Sequence, residues 1–264
     1  MRHRPPWLVE DDCDDVDRGV LKTGKEAEVF LVERRSGPNT CLLAHKRYRP
    51  HKVGKGDLEA RGFRKATTFA RATPYLDGRA FGGTGVAGPG AAQGRKAHRE
   101  ARAVARRTSF GREVMQKAWR AQEWDAITRL WEQGADVPFP VEQTADGFLM
   151  EFVGDDTRAA PRLSQARLSR DEVVVAWQQL EENLRVLVRA DVVHGDLSAY
   201  NVLWWKGQLV IIDLPQSVSL LGSPNGFDLL HRDLLNVSRW FGRRGVAADP
   251  DELLGRLLDE IGNT

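Results

Sequence analysis

Cysteine is scarce in this chain. Its 264 residues hold only Cys13 and Cys41, with no CxxC pair and no Cys/His cluster near either. A disulfide framework or a structural zinc site needs more thiols at closer spacing, so both read as inert thiols. Long apolar runs are missing too. No stretch approaches the roughly 18 residues of a membrane span, which sets aside a membrane partner. Residues 1–15 are polar, with Pro5-Pro6 and an acidic cluster, and lack the apolar centre of a signal peptide. The expected setting is cytoplasmic, with residues 1–16 as a polar N-terminal tail. No internal repeat is evident.

A further scarcity is local. Residues 51–110 have no strand-like alternation and pass from a glycine-rich stretch, "FGGTGVAGPG", to the basic "RKAHREARAVARR". Disorder is expected near 80–92 and helix from about Gln93. This segment carries 13 Lys/Arg against 4 Asp/Glu, an excess of nine, so with a net charge of +2 the remainder carries about minus seven. Such a basic insert fits RNA as a partner. Aromatic residues for stacking bases are few, with only Phe63, Phe69, Tyr75 and Phe81 in its early part, and a solvated loop is the plainer reading.

The rest is ordinary for a folded chain of this length, which suffices for one large core or two lobes about a cleft. "VLKTGKEAEVFLVER" reads as two strands around Thr23-Gly24, and "TCLLAHKRYRP" as a third ending before Pro50. A helix is expected over 111–133, closed by Gly134, with Val114, Trp119, Ile127, Leu130 and Trp131 as its apolar positions. Strands follow near Val141 and over 147–153. The next helix begins at Ser169 with Glu172 three residues on, a capping-box pattern, and presents Val173, Trp177, Leu180, Leu184, Leu187 and Val188 on one face. Helices close the chain over about 226–241 and 250–261. The expected class is α+β and two-lobed: a small antiparallel β-rich N-lobe over about 17–153, carrying the insert, and a mostly helical C-lobe over about 154–264.

The chemistry concentrates in "VVHGDLSAYNVLWWKGQLVIIDLPQSV", residues 192–218. Two strands, 202–205 and 208–212, are joined at Lys206-Gly207. Asp196 and Asn201 precede the first strand and Asp213 ends the second, so all three fall at one end of a hairpin. Phosphoryl transfer from a nucleotide needs metal ions between phosphate oxygens, a cation on the phosphates, and a carboxylate at the acceptor hydroxyl. Asp196 suits the acceptor, Asn201 offers an uncharged oxygen to Mg²⁺, and Asp213 bridges metal to phosphate.

The run His194-Gly195-Asp196-Leu197-Ser198-x-Tyr200-Asn201, with Ile212-Asp213 and Gln216, resembles the RIO family of atypical serine/threonine kinases. Thr23-Gly24-Lys25-Glu26-Ala27-x-Val29 is similar to that family's phosphate-binding loop, with Lys22 where serine is usual. The resemblance implies a RIO-type two-lobed kinase fold, in a short form without an N-terminal winged helix. It implies ATP with Mg²⁺, or Mn²⁺ in its place. It also implies transfer to a protein acceptor or to the enzyme itself, ATP hydrolysis with Asp213 able to take a phosphoryl group, and a ribosomal precursor as a second partner.

The resemblance further assigns residues. Lys46 is favoured over Arg47 and Arg49 as the phosphate lysine, by strand alternation and by alignment. "WRAQEWDAI" selects Glu123 over Glu113 and Glu132 as its partner. Thr23, Gly24, Lys25, Glu26 and Val29 would surround the phosphates. Met150 would border the adenine, whose edge would meet the backbone of Glu151 and Val153. His194 is expected to be structural, and Asp233 to brace the catalytic loop. Leu214-Pro215 follows Asp213 where most protein kinases have Phe-Gly, and no long activation segment follows. Two other readings stay open at this point: a small-molecule phosphotransferase like the aminoglycoside and choline kinases, and a nucleotide-gated RNA-binding assembly factor.

Overall fold

The computed structural model describes residues 4–10, 12–24, 27–49, 102, 106 and 108–262. Residues 1–48 and 122–264 form one compact unit, and Arg49–Ala121 forms another. The glycine-rich and basic stretches, with the disorder and helix expected there, lie almost wholly outside the described residues, as do Lys25 and Glu26.

In the larger unit, strands β1 (Asp14–Thr23), β2 (Ala27–Ser36) and β3 (Asn39–Tyr48) form an antiparallel meander. Helix α1 (Ser109–Glu132) follows, and its last part, from Gln122, belongs to this unit. Strands β4 (Pro140–Gln143) and β5 (Gly147–Glu151) complete a sheet in the order β1-β2-β3-β5-β4. Then come helix α2 (Arg170–Arg189), the hairpin β6 (Val202–Trp205) and β7 (Gln208–Ile211), and helices α3 (Gly226–Gly242) and α4 (Pro250–Gly262). The architecture is α+β, with an antiparallel N-terminal sheet and a helical C-terminal part. Among the described residues no helix is long and apolar enough to cross a membrane.

The sheet starts earlier than the sequence pattern indicates. β1 begins at Asp14 rather than near Asp17, and all ten of its residues are exposed. An edge strand that buries neither face shows no apolar alternation to read. Charge ties it down instead. The Arg34 guanidinium donates to both carboxylate oxygens of Asp15, at 2.8 and 2.9 Å, and also to Glu142. The presumed tail is anchored as well: Trp7 packs edge-on against Phe139 at 6.2 Å, and Leu8 lies on the core of Val32, Leu43 and Leu149. Cys41 is half-buried beside that core, and both cysteines are free thiols.

The helical part follows its sequence signals closely. Ser169 caps α2, its side chain accepting from the Glu172 N–H at 3.3 Å while Glu172 accepts from the Ser169 N–H at 2.8 Å. Every apolar residue expected on the inner face of α2 is buried, and Trp177 meets Phe241 of α3 at 5.1 Å. One polar residue shares that face. Asn183, 2% exposed, accepts from the Asp136 N–H at 2.6 Å and donates to the Asp136 carboxylate at 3.0 Å. This pins the segment after α1 to the C-terminal core. Ser169→Ala should cost about 1 kcal/mol, the usual worth of such a cap, read as a lowered midpoint in thermal denaturation with activity retained.

Candidate active site

The hairpin sets the frame. Lys206 and Gly207 both have positive φ, 49° and 80°, as a two-residue turn between right-twisting strands requires. Gln179 of α2 closes on this turn, donating to the Gly207 carbonyl at 2.8 Å and accepting from the Leu209 N–H at 2.7 Å. At the other end the Ile212 N–H donates to the Asn201 carbonyl at 3.0 Å, so Asn201 stands opposite Ile212 and Asp213 follows directly at the same end of the hairpin. Asp213 itself has φ 69°, a left-handed conformation that aspartate tolerates better than most residues. The Asn201 amide donates to the Asp196 carbonyl at 2.9 Å, which commits its nitrogen and leaves its Oδ1 as the acceptor for a ligand.

Helix α3 holds the loop that carries Asp196. Asp233, 1% exposed, accepts from the N–H of Gly195 at 2.7 Å and of Leu197 at 2.9 Å, gripping both neighbours of Asp196. Arg232 donates to the Gly195 carbonyl, and Asn236 to that of Leu197 at 3.3 Å. The brace expected at Asp233 is therefore present and wider than expected. Gly195 has φ 78°, and a Cβ there would lie 2.3 Å from the Gln216 carbonyl oxygen, so no other residue fits without displacing the loop. His194 accepts from the Asp196 N–H through Nδ1 at 3.3 Å and therefore donates from Nε2 to the Ile212 carbonyl at 3.1 Å. It is 1% exposed and links the two strands' ends, a structural role.

Burial pushes the Asp233 carboxyl up to about 6, against the Gly195 and Leu197 N–H donors and the Arg232 charge, which pull it down. Its folded value lies above its unfolded one, so between these values the folded state holds the extra proton. Stability from this group is present at low pH and lost as pH rises through about 6. Asp233→Asn should flatten the rise in stability between pH 7 and 5, followed by urea denaturation at each pH.

At the centre stands Lys46, in β3. Its ammonium donates to Glu123 Oε1 at 2.5 Å and to Asp213 Oδ1 at 2.7 Å. Glu123 is 3% exposed and lies on the face of α1 that also buries Ala126, Ile127 and Leu130, which is why it, and not the exposed Glu132, points inward. It is doubly held: Tyr48 donates to Oε2, and the Leu214 N–H donates to Oε1 at 3.2 Å. Burial alone would lower Lys46, but Asp213 and Glu123 together raise it well above the ordinary lysine range. Lys46 in turn holds the Asp213 carboxyl far below the usual carboxylate range, against the effect of burial. Both groups are charged at any physiological pH.

The remaining sequence-selected residues surround this centre without joining it. Val29 pairs with Lys46 across the sheet and sits beside it on the same face. Thr23 ends β1, and the Gly24 N–H donates to the Ala27 carbonyl at 2.9 Å, closing the loop between β1 and β2. Met150 pairs with Ala44, two residues along β3 from Lys46, and is half-buried. β5 ends at Glu151 rather than Val153, and the Glu151 N–H and Val153 carbonyl are taken by Phe139 and Ala160. An adenine edge would thus use the complementary pair, the Glu151 carbonyl and the Val153 N–H. Two residues in contact with the site escape a sequence reading, Tyr48 and Arg232, while Lys22, seen there only as a departure from serine, has its Nζ 4.0 Å from Asp213 Oδ2. Tyr48 carried a usable signal, since it lies two residues past Lys46 in one strand and so on the same face.

Among the described residues no three His, Cys, Asp or Glu side chains gather as a metal cluster. Asp213 and Asn201 supply two hard oxygens, which suits an ion that takes its other ligands from phosphates and water, as Mg²⁺ does. A buried strand lysine held between a helix glutamate and the aspartate ending a hairpin, below a braced H-G-D loop, defines a kinase-type phosphotransferase. The model of the RIO domain matches residues 91–253. The chain belongs to the RIO family.

It is 32% identical over 246 residues to the RIO-type serine/threonine-protein kinase Rio1 of Haloferax volcanii, covering 93% of this chain and 70% of that protein. It is 37% identical over 133 residues to the serine/threonine-protein kinase rio1 of Dictyostelium discoideum and 34% identical over 131 residues to serine/threonine-protein kinase RIO3 of Homo sapiens. Those matches span 50% and 49% of this chain but 23% and 25% of the relatives' own lengths.

Proposed function

We propose that this chain transfers the γ-phosphoryl group of ATP to a serine or threonine hydroxyl of a protein, to its own hydroxyls, or to water. The carrying observation is the Lys46 ammonium seated between Glu123 at 2.5 Å and Asp213 at 2.7 Å. Lys46 would hold the α/β-phosphates, positioned by Glu123, and Thr23, Gly24 and Val29 would line the phosphates from the sheet. Met150, the Glu151 carbonyl and the Val153 N–H would take the adenine. Asp213 and Asn201 would hold Mg²⁺, or Mn²⁺ in its place, which supplies charge neutralisation between phosphate oxygens. Asp196 orients the acceptor hydroxyl and takes its proton as the new O–P bond forms and the bond from the γ-phosphorus to the bridging oxygen breaks, releasing ADP. The relatives are named as protein kinases, which favours a protein acceptor over a small molecule.

Incubation with γ-labelled ATP and Mg²⁺, separating label on protein from free phosphate with candidate acceptors present and absent, tests this. Label or phosphate release that depends on Lys46 and Asp213 is expected. ATP left unconsumed, or consumed equally by Lys46→Ala, would overturn it.

A further inference from the structure

Lys22 stands where the family resemblance leads one to expect serine, and the fold goes out of its way to aim it. Along β1 the pairing runs Val20 with Phe30, then skips Leu21 and resumes with Lys22 opposite Val29. That one-residue bulge reverses which side chains face which way, a device strands use to redirect a residue. Regular pairing would have set Leu21 opposite Val29. With the bulge, Lys22, Val29 and Lys46 form one row across three strands, on one face of the sheet. The lysine at the end of the row reaches Asp213 from the opposite side to Lys46: Lys46 holds Oδ1 at 2.7 Å, and Lys22 Nζ lies 4.0 Å from Oδ2.

The charges around Lys22 are of both signs. Asp213 and Glu123 attract its ammonium, while Arg162 and Lys46 repel it. Arg162 also has a buried Nη2 with no hydrogen-bond partner among the described residues. Lys22 is itself about half exposed, so its stem is free to move. Asp213 Oδ2 is the oxygen that Lys46 leaves open, hence the one a metal ion would take. Lys22 and a metal therefore compete for the same charge.

We propose that Lys22 is a tethered counter-cation of the nucleotide site. It neutralises the outer oxygen of Asp213 when no metal is bound, so that the polyphosphate of the nucleotide meets a screened carboxylate, and it yields that oxygen when the metal takes it. This rests on the ATP-site reading above. Its consequence is that this chain binds ATP with less help from metal than the serine-bearing arrangement would allow. Lys22 and Mg²⁺ serve the same negative charge, so each weakens the benefit of the other.

Direct titration of the β,γ-imido analogue of ATP into wild type, Lys22→Ser, Lys22→Met, Lys22→Arg and Lys46→Ala, in EDTA and in saturating Mg²⁺, tests this without turnover. Thermal melting confirms each variant is folded. In EDTA, Lys22→Ser and Lys22→Met should both bind about tenfold more weakly than wild type, the worth of one partly exposed charge that screens Asp213 from the polyphosphate, and Lys22→Arg should stay within about threefold. In Mg²⁺ the deficit should shrink to about threefold or less, so that the gain in affinity on adding metal is larger for Lys22→Ser than for wild type. Equal affinity of wild type and Lys22→Ser in EDTA, or a deficit of the same size in both conditions, removes the role from Lys22 and leaves the ATP site standing. Absence of binding by wild type in Mg²⁺, or equal binding by Lys46→Ala, instead overturns the ATP site itself.

Discussion

Replacing Lys46 by alanine should cut ATP turnover by about 10²- to 10³-fold, the usual cost of removing a preorganised charge from a phosphoryl-transfer site. It should also lower stability by about 3 kcal/mol, because it leaves a buried carboxylate without its cation. Glu123 is 3% exposed and would keep only Tyr48 and the Leu214 N–H, while Asp213 would lose the largest influence holding its carboxyl down. Lys46→Met, which keeps most of the volume, should show the same two losses, separating charge from packing. Glu123→Gln should be milder in turnover, since it positions the lysine and need not touch phosphate. Steady-state kinetics with urea denaturation of each variant reads both effects. Normal turnover by Lys46→Ala would remove this lysine from the chemistry.

The second large effect separates two carboxylates seventeen positions apart on either side of the hairpin. Asp213→Asn should abolish turnover and raise the metal concentration needed for nucleotide binding, since a full charge leaves the metal's surroundings. Asp196→Asn should leave Mg·ATP affinity nearly unchanged while cutting turnover by about 10²-fold or more, because its carboxylate acts on the acceptor. Equilibrium binding beside turnover distinguishes them. Should Asp196→Asn destroy Mg·ATP binding as thoroughly as Asp213→Asn, the division of labour fails. If the enzyme passes a phosphoryl group through Asp213, acid-quenched protein labelled from the γ-phosphate should lose its label to hydroxylamine. Label that survives sits on serine or threonine.

What could be read in the sequence was what short-range chemistry dictates. The hairpin of β6 and β7 is legible because Lys206-Gly207 falls between two apolar, β-prone runs, and α2 because Ser169 and Glu172 announce its start and its inner face repeats with helical period. Glu123 could be chosen among three glutamates through the resemblance of "WRAQEWDAI" to the family's helix, and it shares the face that buries Ile127 and Leu130. Three things resisted. β1 is an edge strand held by ion pairs, so its true start at Asp14 leaves no hydrophobic pattern. The bulge at Leu21 is a fact of pairing between strands and has no local signature, so Lys22 could be seen as a departure from serine but not aimed at Asp213. Asn183 interrupts an apolar face with a residue whose partner, Asp136, lies 47 positions away. Long-range polar contacts of this kind are decided by tertiary packing and leave no trace in periodicity.

The β6–β7 hairpin works as a calliper. Its jaws are Asn201 and Asp213, and its pivot is the Lys206-Gly207 turn that Gln179 clamps. Side chains alternate along a strand, so gaining or losing one residue in either arm would swing a jaw to the opposite face, whereas matched changes in both arms would leave the gap alone. The placement of the two oxygen donors is therefore written in two four-residue strands and in Ile212 beyond them, none of which supplies a ligand.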